Sequence, residues 1–231
     1  MRKNKKPKHI AVVLDGNRRW AVKRGMRPWE GHKVGADKFE EFVDWCSAAG
    51  VKQISAYVLS TENLKRPRRE VKEIMKIFMV KLREWLESDK LKKYQMRVNF
   101  FGNMSAFPSD MVDLMKALTK KTAGFTKMVI NILVGYSGKF ELMNAFNALM
   151  RNMKSGGVRI TEKSINDNLL VRTPVDLVIR TGGQSRLSNL LMWQSAYADI
   201  YTTKTLWPDF TKRDFNGAMR FFANADRKFG L

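Results

Sequence analysis

Hydrophobic and polar positions along the chain follow two alternating patterns. Short continuous apolar runs, typical of buried parallel strands, occupy residues 10–14, 54–59, 98–101, 128–134 and 177–179. Between them, apolar residues recur with the helical period and predict helices over 39–46, 71–86, 109–122, 138–153, 161–170 and 211–223, the first with a stop at Gly50. This alternation predicts one α/β domain over residues 1–231, with a mainly parallel central sheet flanked by helices.

The helix predicted over 71–86 is apolar on more than one side. Ile74, Phe78 and Leu82 fall on one face, whereas Ile77 and Val80 extend the apolar surface around the helix. Close packing against the sheet and neighbouring helices explains such a surface without any ligand. On the pattern alone, packing is the favoured interpretation.

Composition and charge narrow the class of protein. The chain has 43 Lys and Arg against 22 Asp and Glu, and its net charge of +21 favours anionic partners of some kind. The single cysteine, Cys46, excludes an internal disulfide and fits a reducing compartment. A strand pattern, not a signal-peptide core, follows the basic N-terminus, and no stretch approaches the ~20 apolar residues of a spanning helix. We therefore expect a cytoplasmic protein, at most peripheral at a membrane surface.

Two polar clusters each directly follow a predicted strand. They are D-G-N-R-R-W at 15–20 and R-T-G-G-Q-S-R-L-S-N at 180–189. The carboxyl ends of parallel strands form the ligand crevice of an open α/β sheet, so we expect the two clusters to converge there. Arginine forks fit phosphate oxygens, and a carboxylate such as Asp15 suits a hard cation. The combination predicts a site for a magnesium-bound diphosphate.

The same clusters resemble the signature segments of the cis-prenyltransferases, the family of undecaprenyl diphosphate synthase. The resemblance continues through G-H at 31–32, S-T-E-N-L-K-R-P at 60–67, M-W-Q-S-A-Y-A-D-I-Y at 192–201 and L-W-P-D-F at 206–210, so it spans nearly the whole chain. It implies a Mg²⁺-dependent enzyme that condenses isopentenyl diphosphate with an allylic prenyl diphosphate to a Z-configured polyprenyl diphosphate of short or medium length. It also implies a hydrophobic tunnel for the prenyl chain, with the helix over 71–86 as one wall.

The resemblance assigns roles to individual residues. Asp15 and Asp199 match the metal positions, and Asp15 and Asn63 match the catalytic ones, with Asn63 as a positioning residue because an amide is a poor base. The substrate-binding positions are Gly16, Asn17, Arg18, Arg19, Trp20, Arg27, His32, Ser60, Thr61, Glu62, Leu64, Arg66, Arg180, Arg186, Leu187 and Ser188. Arg186 and Ser188 match the isopentenyl diphosphate headgroup site, and Trp20 and Leu64 flank the prenyl groups.

Five positions depart from the family pattern. Pro28 replaces an arginine, Leu64 a tryptophan and Gln184 a glutamate, whereas Gly135 replaces an asparagine and Asp199 a common glutamate. Arg27 is adjacent to Pro28, and we expect it to take the place of the missing arginine. The losses of charge at 184 and of an aromatic ring at 64 leave substrate choice and regiochemistry open.

Several alternatives remain beside a regular cis-prenyltransferase. One is an irregular, non-head-to-tail condensation on the same scaffold, and another is a non-catalytic subunit that binds a prenyl lipid or an active relative; the retained Asp15 argues against the latter. Charge alone suggests nucleic acid, but no zinc-finger, RRM or basic-zipper pattern supports it, so we expect no nucleic-acid partner. By analogy, the R-K-F-G segment at 227–230 implies a homodimer.

Overall fold

The computed structural model describes residues 5–154 and 159–226. Six strands form one sheet: β1 His9–Val13, β2 Gln53–Ser60, β3 Met96–Phe101, β4 Met128–Tyr136, β5 Leu177–Arg180 and β6 Asp199–Thr202. Every neighbouring pair is parallel, and the order is β3-β4-β2-β1-β5-β6. The predicted α/β architecture with a parallel sheet is confirmed.

Five of the six predicted helices lie within three residues of their predicted bounds, whereas the helix predicted over 39–46 begins at Glu30. The helices are α1 Asn17–Val22, α2 Glu30–Ala49, α3 Arg68–Glu87, α4 Lys90–Lys93, α5 Ser109–Thr122, α6 Gly138–Lys154, α7 Glu162–Asp167 and α8 Lys212–Asn224. As predicted, α2 stops at Gly50, which is left-handed with φ 81°. The helix predicted to reach residue 170 ends early, because the backbone N–H groups of Leu170 and Val171 donate to the Glu141 carboxylate instead of continuing a helical ladder.

The two faces of the sheet carry separate apolar cores. On the first face, Ile10, Ile54 and Ile179 pack with apolar residues of α2, α3, α5 and α8. On the second face, Val13 and Val178 pack with the segment that follows β5, including residues 187, 190 and 191. The segment after β1 therefore packs on the first face of the sheet, whereas the segment after β5 packs on the second.

This divergence opens a crevice between the carboxyl ends of β1 and β5. The two strands are neighbours, with Val13 opposite Arg180. Such a topological switch point is where ligands bind in open α/β sheets.

Among the described residues, no helix combines the length and hydropathy needed to cross a bilayer.

Candidate active site

Asp15 and Arg180, 165 residues apart in the chain, meet directly at the crevice. The Arg180 guanidinium donates to one carboxylate oxygen of Asp15 at 2.9 Å, and Arg19 donates to the other at 3.1 Å. The Asp15 carbonyl oxygen accepts from the hydroxyl of Thr181 at 2.7 Å and from the backbone N–H of Trp207 at 3.0 Å. The convergence predicted from strand ends is present, and Asp15 is fixed from three segments of the chain.

Arg180 is buried and also organises the loop that follows it. Its second terminal nitrogen donates to the Arg186 carbonyl oxygen at 2.5 Å and to the Ser188 hydroxyl at 2.7 Å. Ser188 and Asn189 have left-handed backbones, with φ 50° and 65°, which turn this loop back over the strand ends. The arginine therefore ties Asp15 to the loop that brings Ser188 to the site.

Gly16 and Asn17 lie where β1 passes into α1, and both pack closely against other segments of the chain. A Cβ at Gly16 would lie within about 3 Å of Leu206, so the absent side chain makes room for protein rather than only for a phosphate. The Asn17 amide donates to the Leu14 carbonyl oxygen at 3.0 Å, and Gly31 and Gly35 of α2 contact Asn17 so closely that a Cβ would collide there. These contacts hold the start of α1 against α2.

The segment after β2 adds a second group of polar side chains. Ser60 and Asn63 bond reciprocally: the Ser60 backbone N–H donates to the Asn63 amide oxygen at 3.3 Å, and the Asn63 backbone N–H donates to the Ser60 hydroxyl at 3.1 Å. Glu62 accepts from the Asn189 amide at 3.3 Å. This last bond joins the β2 loop to the β5 loop across the site.

His32 lies beside two of the predicted arginines. Burial lowers its pKa to about 4, and the nearby positive charges of Arg66 and Arg18 act in the same direction. Its Nε2 is buried and has no hydrogen-bond partner within the described part of the chain. At neutral pH the imidazole is uncharged, so one ring nitrogen is available as an acceptor.

These residues line an open cavity of about 830 Å³. Of the predicted site residues, its lining contains Asp15, Gly16, Asn17, Arg18, Arg19, His32, Ser60, Glu62, Asn63, Arg66, Arg180 and Ser188. Five cationic side chains, with Lys23 as the fifth, face two carboxylates in this lining. The cavity therefore has the excess of positive charge that a diphosphate requires.

A narrower apolar cavity of about 100 Å³ continues from the polar one between α2, α3 and the sheet. The two share Leu14, Asn17, His32 and Val58. Its wall is made by apolar side chains of α2, α3, β3 and β4, namely Phe39, Ile74, Ile77, Phe78, Leu82, Trp85, Phe100 and Ile132. The apolar surface of α3 thus serves both packing and a cavity, as expected for one wall of a tunnel.

Some predicted substrate-binding side chains point elsewhere. Trp20 donates its indole N–H to Asp209 at 2.6 Å and is covered by Arg24, and Arg27 lies over Trp29. Leu64 and Leu187 pack against the two cores, and Arg186 is exposed, donating to the Gln184 amide oxygen at 2.6 Å. The backbone N–H of Thr61 donates to the Tyr136 carbonyl oxygen at the end of β4. None of the six lines the polar cavity in the described structure.

Asp199 is not brought to Asp15 within one chain. It is the first residue of β6, paired with Leu177, whereas the site lies at the other end of these strands, level with Arg180 and Thr202. Three residues of strand correspond to about 10 Å. Asp199 therefore does not share a site with Asp15 within one chain, and its role as a metal ligand stays a prediction.

Of the two predicted metal ligands, Asp15 is the one that lines the cavity. Among the described residues, no group of three or more His, Cys, Asp or Glu side chains is arranged to hold a metal. Mg²⁺ is commonly bound by one or two carboxylates together with water and substrate phosphates. Asp15, whose side chain is 28% exposed at the cavity, fits that mode.

Sequence reasoning missed several residues at the site. Tyr57, Val58, Lys23 and Asn189 line the polar cavity. Tyr57 and Val58 belong to an apolar strand run, and nothing in that run separates side chains that face the crevice from those in the core. Asn189 belongs to the polar cluster at 180–189, and this membership is the sequence feature from which its place in the site could have been predicted.

Comparisons with known proteins agree with this geometry. The family model described as "Putative undecaprenyl diphosphate synthase" matches residues 13–230. A geranylgeranyl-diphosphate-specific tritrans,polycis-undecaprenyl-diphosphate synthase of Pyrococcus horikoshii is 37% identical, over 97% of this chain and 87% of that protein. A (2E,6E)-farnesyl-diphosphate-specific ditrans,polycis-undecaprenyl-diphosphate synthase of Escherichia coli K12 is also 37% identical, over 96% of this chain and 89% of that protein.

A solved structure matches the fold closely. Lavandulyl diphosphate synthase from Lavandula x intermedia, in complex with dimethylallyl diphosphate, superimposes with a TM-score of 0.93 at 27% identity, over 98% of this chain and 99% of that one. The likeness therefore extends over the whole fold and not only the motifs. The chain belongs to the cis-prenyltransferases, the family of undecaprenyl diphosphate synthase.

Proposed function

We propose that this enzyme condenses isopentenyl diphosphate with an allylic prenyl diphosphate and releases a Z-configured polyprenyl diphosphate of short or medium length. The observation that carries the proposal is the contact of Asp15 with Arg180 in a polar cavity that continues into an apolar one. Each substrate is strongly anionic at one end and apolar at the other. A cationic cavity that opens into an apolar one matches both ends, and the small apolar volume of about 100 Å³ supports a short or medium product.

The arginines bind and orient the two diphosphates. Arg180 is held by Asp15, Ser188 and the Arg186 carbonyl oxygen, so its guanidinium loses little further freedom when a phosphate binds. Arg18 and Arg66 form a second group in the same cavity, held by Glu70 and next to His32. Two separate cationic groups allow two diphosphates to bind together, with the reacting carbons between them.

Asp15 is the residue that would hold Mg²⁺. In the described structure both carboxylate oxygens accept from arginines, Arg19 and Arg180, so the carboxylate is already oriented toward the cavity. When bound, Mg²⁺ supplies neutralisation of the charge that develops on the departing diphosphate. Asp15 and the arginines share the binding of that diphosphate.

His32 and Asn63 lie where the polar cavity meets the reacting end of the substrates. The uncharged imidazole of His32 is an acceptor at the junction of the two cavities. Asn63 is held by Ser60 and orients a diphosphate oxygen or a water that accepts the proton from isopentenyl diphosphate. The amide itself acts by positioning.

Incubation with Mg²⁺, labelled isopentenyl diphosphate and a panel of allylic diphosphates tests the proposal. The panel includes geranylgeranyl and farnesyl diphosphates, which the names of the two relatives specify. We expect incorporation that needs both Mg²⁺ and a primer and that falls at least 100-fold in Asp15→Ala, as for loss of a central electrostatic group. No incorporation with any primer, or full activity of Asp15→Ala, would contradict the proposal.

An irregular condensation is the second candidate. It is favoured by the TM-score of 0.93 with lavandulyl diphosphate synthase and by the replacement of the family glutamate by Gln184, which leaves Arg186 paired to a neutral amide. The test is product connectivity by NMR. A branched or cyclic, non-head-to-tail skeleton would replace the first proposal by this one, and a linear Z-chain would exclude it.

We also propose a homodimer that uses one face of α6. Met143, Phe146, Met150 and Met153 follow helical spacing and are 38% to 59% exposed, whereas Glu141 and Ala145, which face away from this stripe, are buried. A stripe of this kind is typical of a protein interface. The R-K-F-G segment, from which the dimer was first inferred, lies outside the described residues. Cytoplasmic location and contact with a membrane surface stay predictions.

A further inference from the structure

Glu70, in the first turn of α3, is a buried carboxylate with no role in the family pattern described above. Only 4% of the residue is exposed. One of its carboxylate oxygens lies 3.1 Å from Nε of Arg18 and 3.4 Å from a terminal nitrogen of Arg66. Both arginines line the polar cavity, one from α1 and the other from the segment before α3.

A buried carboxylate is stable only when it is paired. Removing a charge from water costs several kcal/mol, and a close cation must offset that cost. Helix α3 contributes through its N-terminal dipole, which favours an acid in the first turn. The remaining compensation comes from two side chains of the cavity, so the position of Glu70 and the positions of Arg18 and Arg66 depend on one another.

Glu70 is the carboxylate in direct ion-pair contact with both arginines, and Asp15 also acts electrostatically on Arg66. Burial lowers the pKa of Arg66; Glu70 opposes this shift, and the positive charge of Arg18 adds to it. Without the shared carboxylate the two guanidinium groups repel each other, and Arg18, whose side chain is 46% exposed, is free to turn toward solvent. Glu70 therefore keeps two like charges close together before a substrate arrives.

The neighbouring groups indicate which diphosphate is concerned. Arg18 and Arg66 act on His32, and His32 lines both the polar and the apolar cavity. A diphosphate bound by these arginines lies at the entrance of the apolar cavity, so it belongs to the substrate whose chain enters that cavity. In the proposed reaction this substrate is the allylic diphosphate. Arg180 and Ser188 line the polar cavity but not the apolar one.

We propose that Glu70 is a positioning residue that holds Arg18 and Arg66 as a pair for the allylic diphosphate. The proposal rests on the function proposed above. Glu70 touches no substrate atom and acts through the two guanidinium groups. Its loss weakens binding of the allylic substrate more than it slows the chemical step.

The test compares Glu70→Gln with Glu73→Gln on the same helix. Glu73 is also paired with a cation, Lys76, but it is not part of the cavity. We expect Glu70→Gln to raise the KM for the allylic diphosphate about tenfold, as for loss of one charge-assisted contact, with kcat and the KM for isopentenyl diphosphate changed less than threefold. Glu73→Gln should match the wild type in all three constants.

A binding measurement separates this proposal from the function on which it rests. Titration calorimetry with inorganic pyrophosphate, the probe for the anionic site, needs no turnover. We expect weaker binding to Glu70→Gln, with most of it restored in Glu70→Asp, and a smaller effect of Glu70→Gln in an Arg18→Gln background than in the wild type, because only Arg66 is then left to position. Equal or tighter binding to Glu70→Gln would overturn the role of Glu70, whether or not the enzyme makes a prenyl product. If Glu70→Gln unfolds, the same comparison is made with Glu70→Asp, alone and combined with Arg18→Gln.

Discussion

At the scale of single residues, the two glycines after Arg180 illustrate how closely the site is assembled. Gly182 and Gly183 both have positive φ, 81° and 76°. A Cβ on Gly182 would collide with the Arg19 guanidinium and lie 3.2 Å from Asp15, whereas a Cβ on Gly183 would meet only Lys204 at ordinary distance. Both glycines have the same left-handed backbone conformation, but only Gly182 packs against side chains of the site, those of Arg19 and Asp15.

This difference predicts distinct effects of two alanine substitutions. Gly182→Ala should displace Arg19 from Asp15 and lower kcat/KM roughly 10- to 100-fold, since small misplacements of catalytic groups have effects of this size. Gly183→Ala carries the same backbone strain of about 1–2 kcal/mol and should keep most of its activity. Steady-state kinetics with melting temperatures measures both. Equal losses in the two variants would show that backbone strain, not the collision, matters.

Two of the departures from the family pattern have local explanations. Gly135 is left-handed with φ 57°, and a Cβ there would lie 2.9 Å from the Phe107 ring, so the glycine is required by packing at the end of β4. Gln184 accepts a hydrogen bond from Arg186. Nothing in the structure explains Pro28.

At the scale of elements, α3 separates the apolar cavity from a second one. Trp85, Lys81 and Glu40 line both the apolar cavity and a neighbouring cavity of about 190 Å³ that reaches Leu91 and Met96. Lys81 contacts Glu40 at 3.3 Å, and the Trp85 indole donates to the same carboxylate at 3.4 Å. Together these three side chains close the far end of the cavity.

Removing the indole should therefore lengthen the product. In Trp85→Ala the two cavities join, and we expect the product distribution to shift to longer chains, measured by mass spectrometry of the extracted products. Trp45→Ala is the matched control, because Trp45 is half-buried against Phe210 and Phe215 and lines neither cavity. An unchanged distribution in Trp85→Ala, or the same shift in Trp45→Ala, would contradict this account.

At the scale of the whole molecule, the exposed stripe on α6 predicts the assembly. A charged side chain in the middle of an apolar interface is strongly unfavourable, so Met150→Lys combined with Phe146→Lys should convert a dimer into a monomer. Light scattering after size exclusion measures the mass. Asn144→Lys, exposed on the same helix but off the stripe, should leave the dimer intact. A wild-type monomer at working concentration would refute the assembly itself.

The stability of the whole fold should depend on pH through His9. His9 is buried in β1, with Nδ1 2.9 Å from the Pro174 carbonyl oxygen and Nε2 2.8 Å from the Ser55 hydroxyl. Burial lowers its pKa from 6.5 to about 4. Between pH 6.5 and about pH 4 the unfolded chain therefore binds a proton at His9 that the folded chain does not. As the pH decreases through this window, the free energy of unfolding decreases.

In this pH window we expect His9 alone to lower the free energy of unfolding by about 1.4 kcal/mol for each unit by which the pH decreases. Urea denaturation at several pH values should show a shallower decline for His9→Gln than for the wild type, since glutamine does not titrate. His32 remains in both proteins, so its contribution cancels in the comparison. Parallel declines would mean that His9 does not stay neutral in the fold.

The amino-acid sequence by itself determined the α/β class, the position of most strands and helices, and the family. These features depend on local patterns: apolar runs of strand length, helical spacing, glycine stops, and motifs whose residues are close in the chain. The sequence did not reveal β6, because that edge strand is short, half-exposed and without a clear alternation. It also did not reveal α1, whose six residues read as a polar loop.

The tertiary structure alone decided which side chains meet at the site. Arg18, Arg66 and Arg180 reach the cavity, while Arg186 and Trp20 are held elsewhere by Gln184 and Asp209. Asp199 stands at the wrong end of its strand, and Glu70, which no motif singled out, joins two arginines from different segments. The direction of a side chain across a crevice depends on the register of distant strands and on packing between segments far apart in the chain, and neither is encoded in the residues next to it.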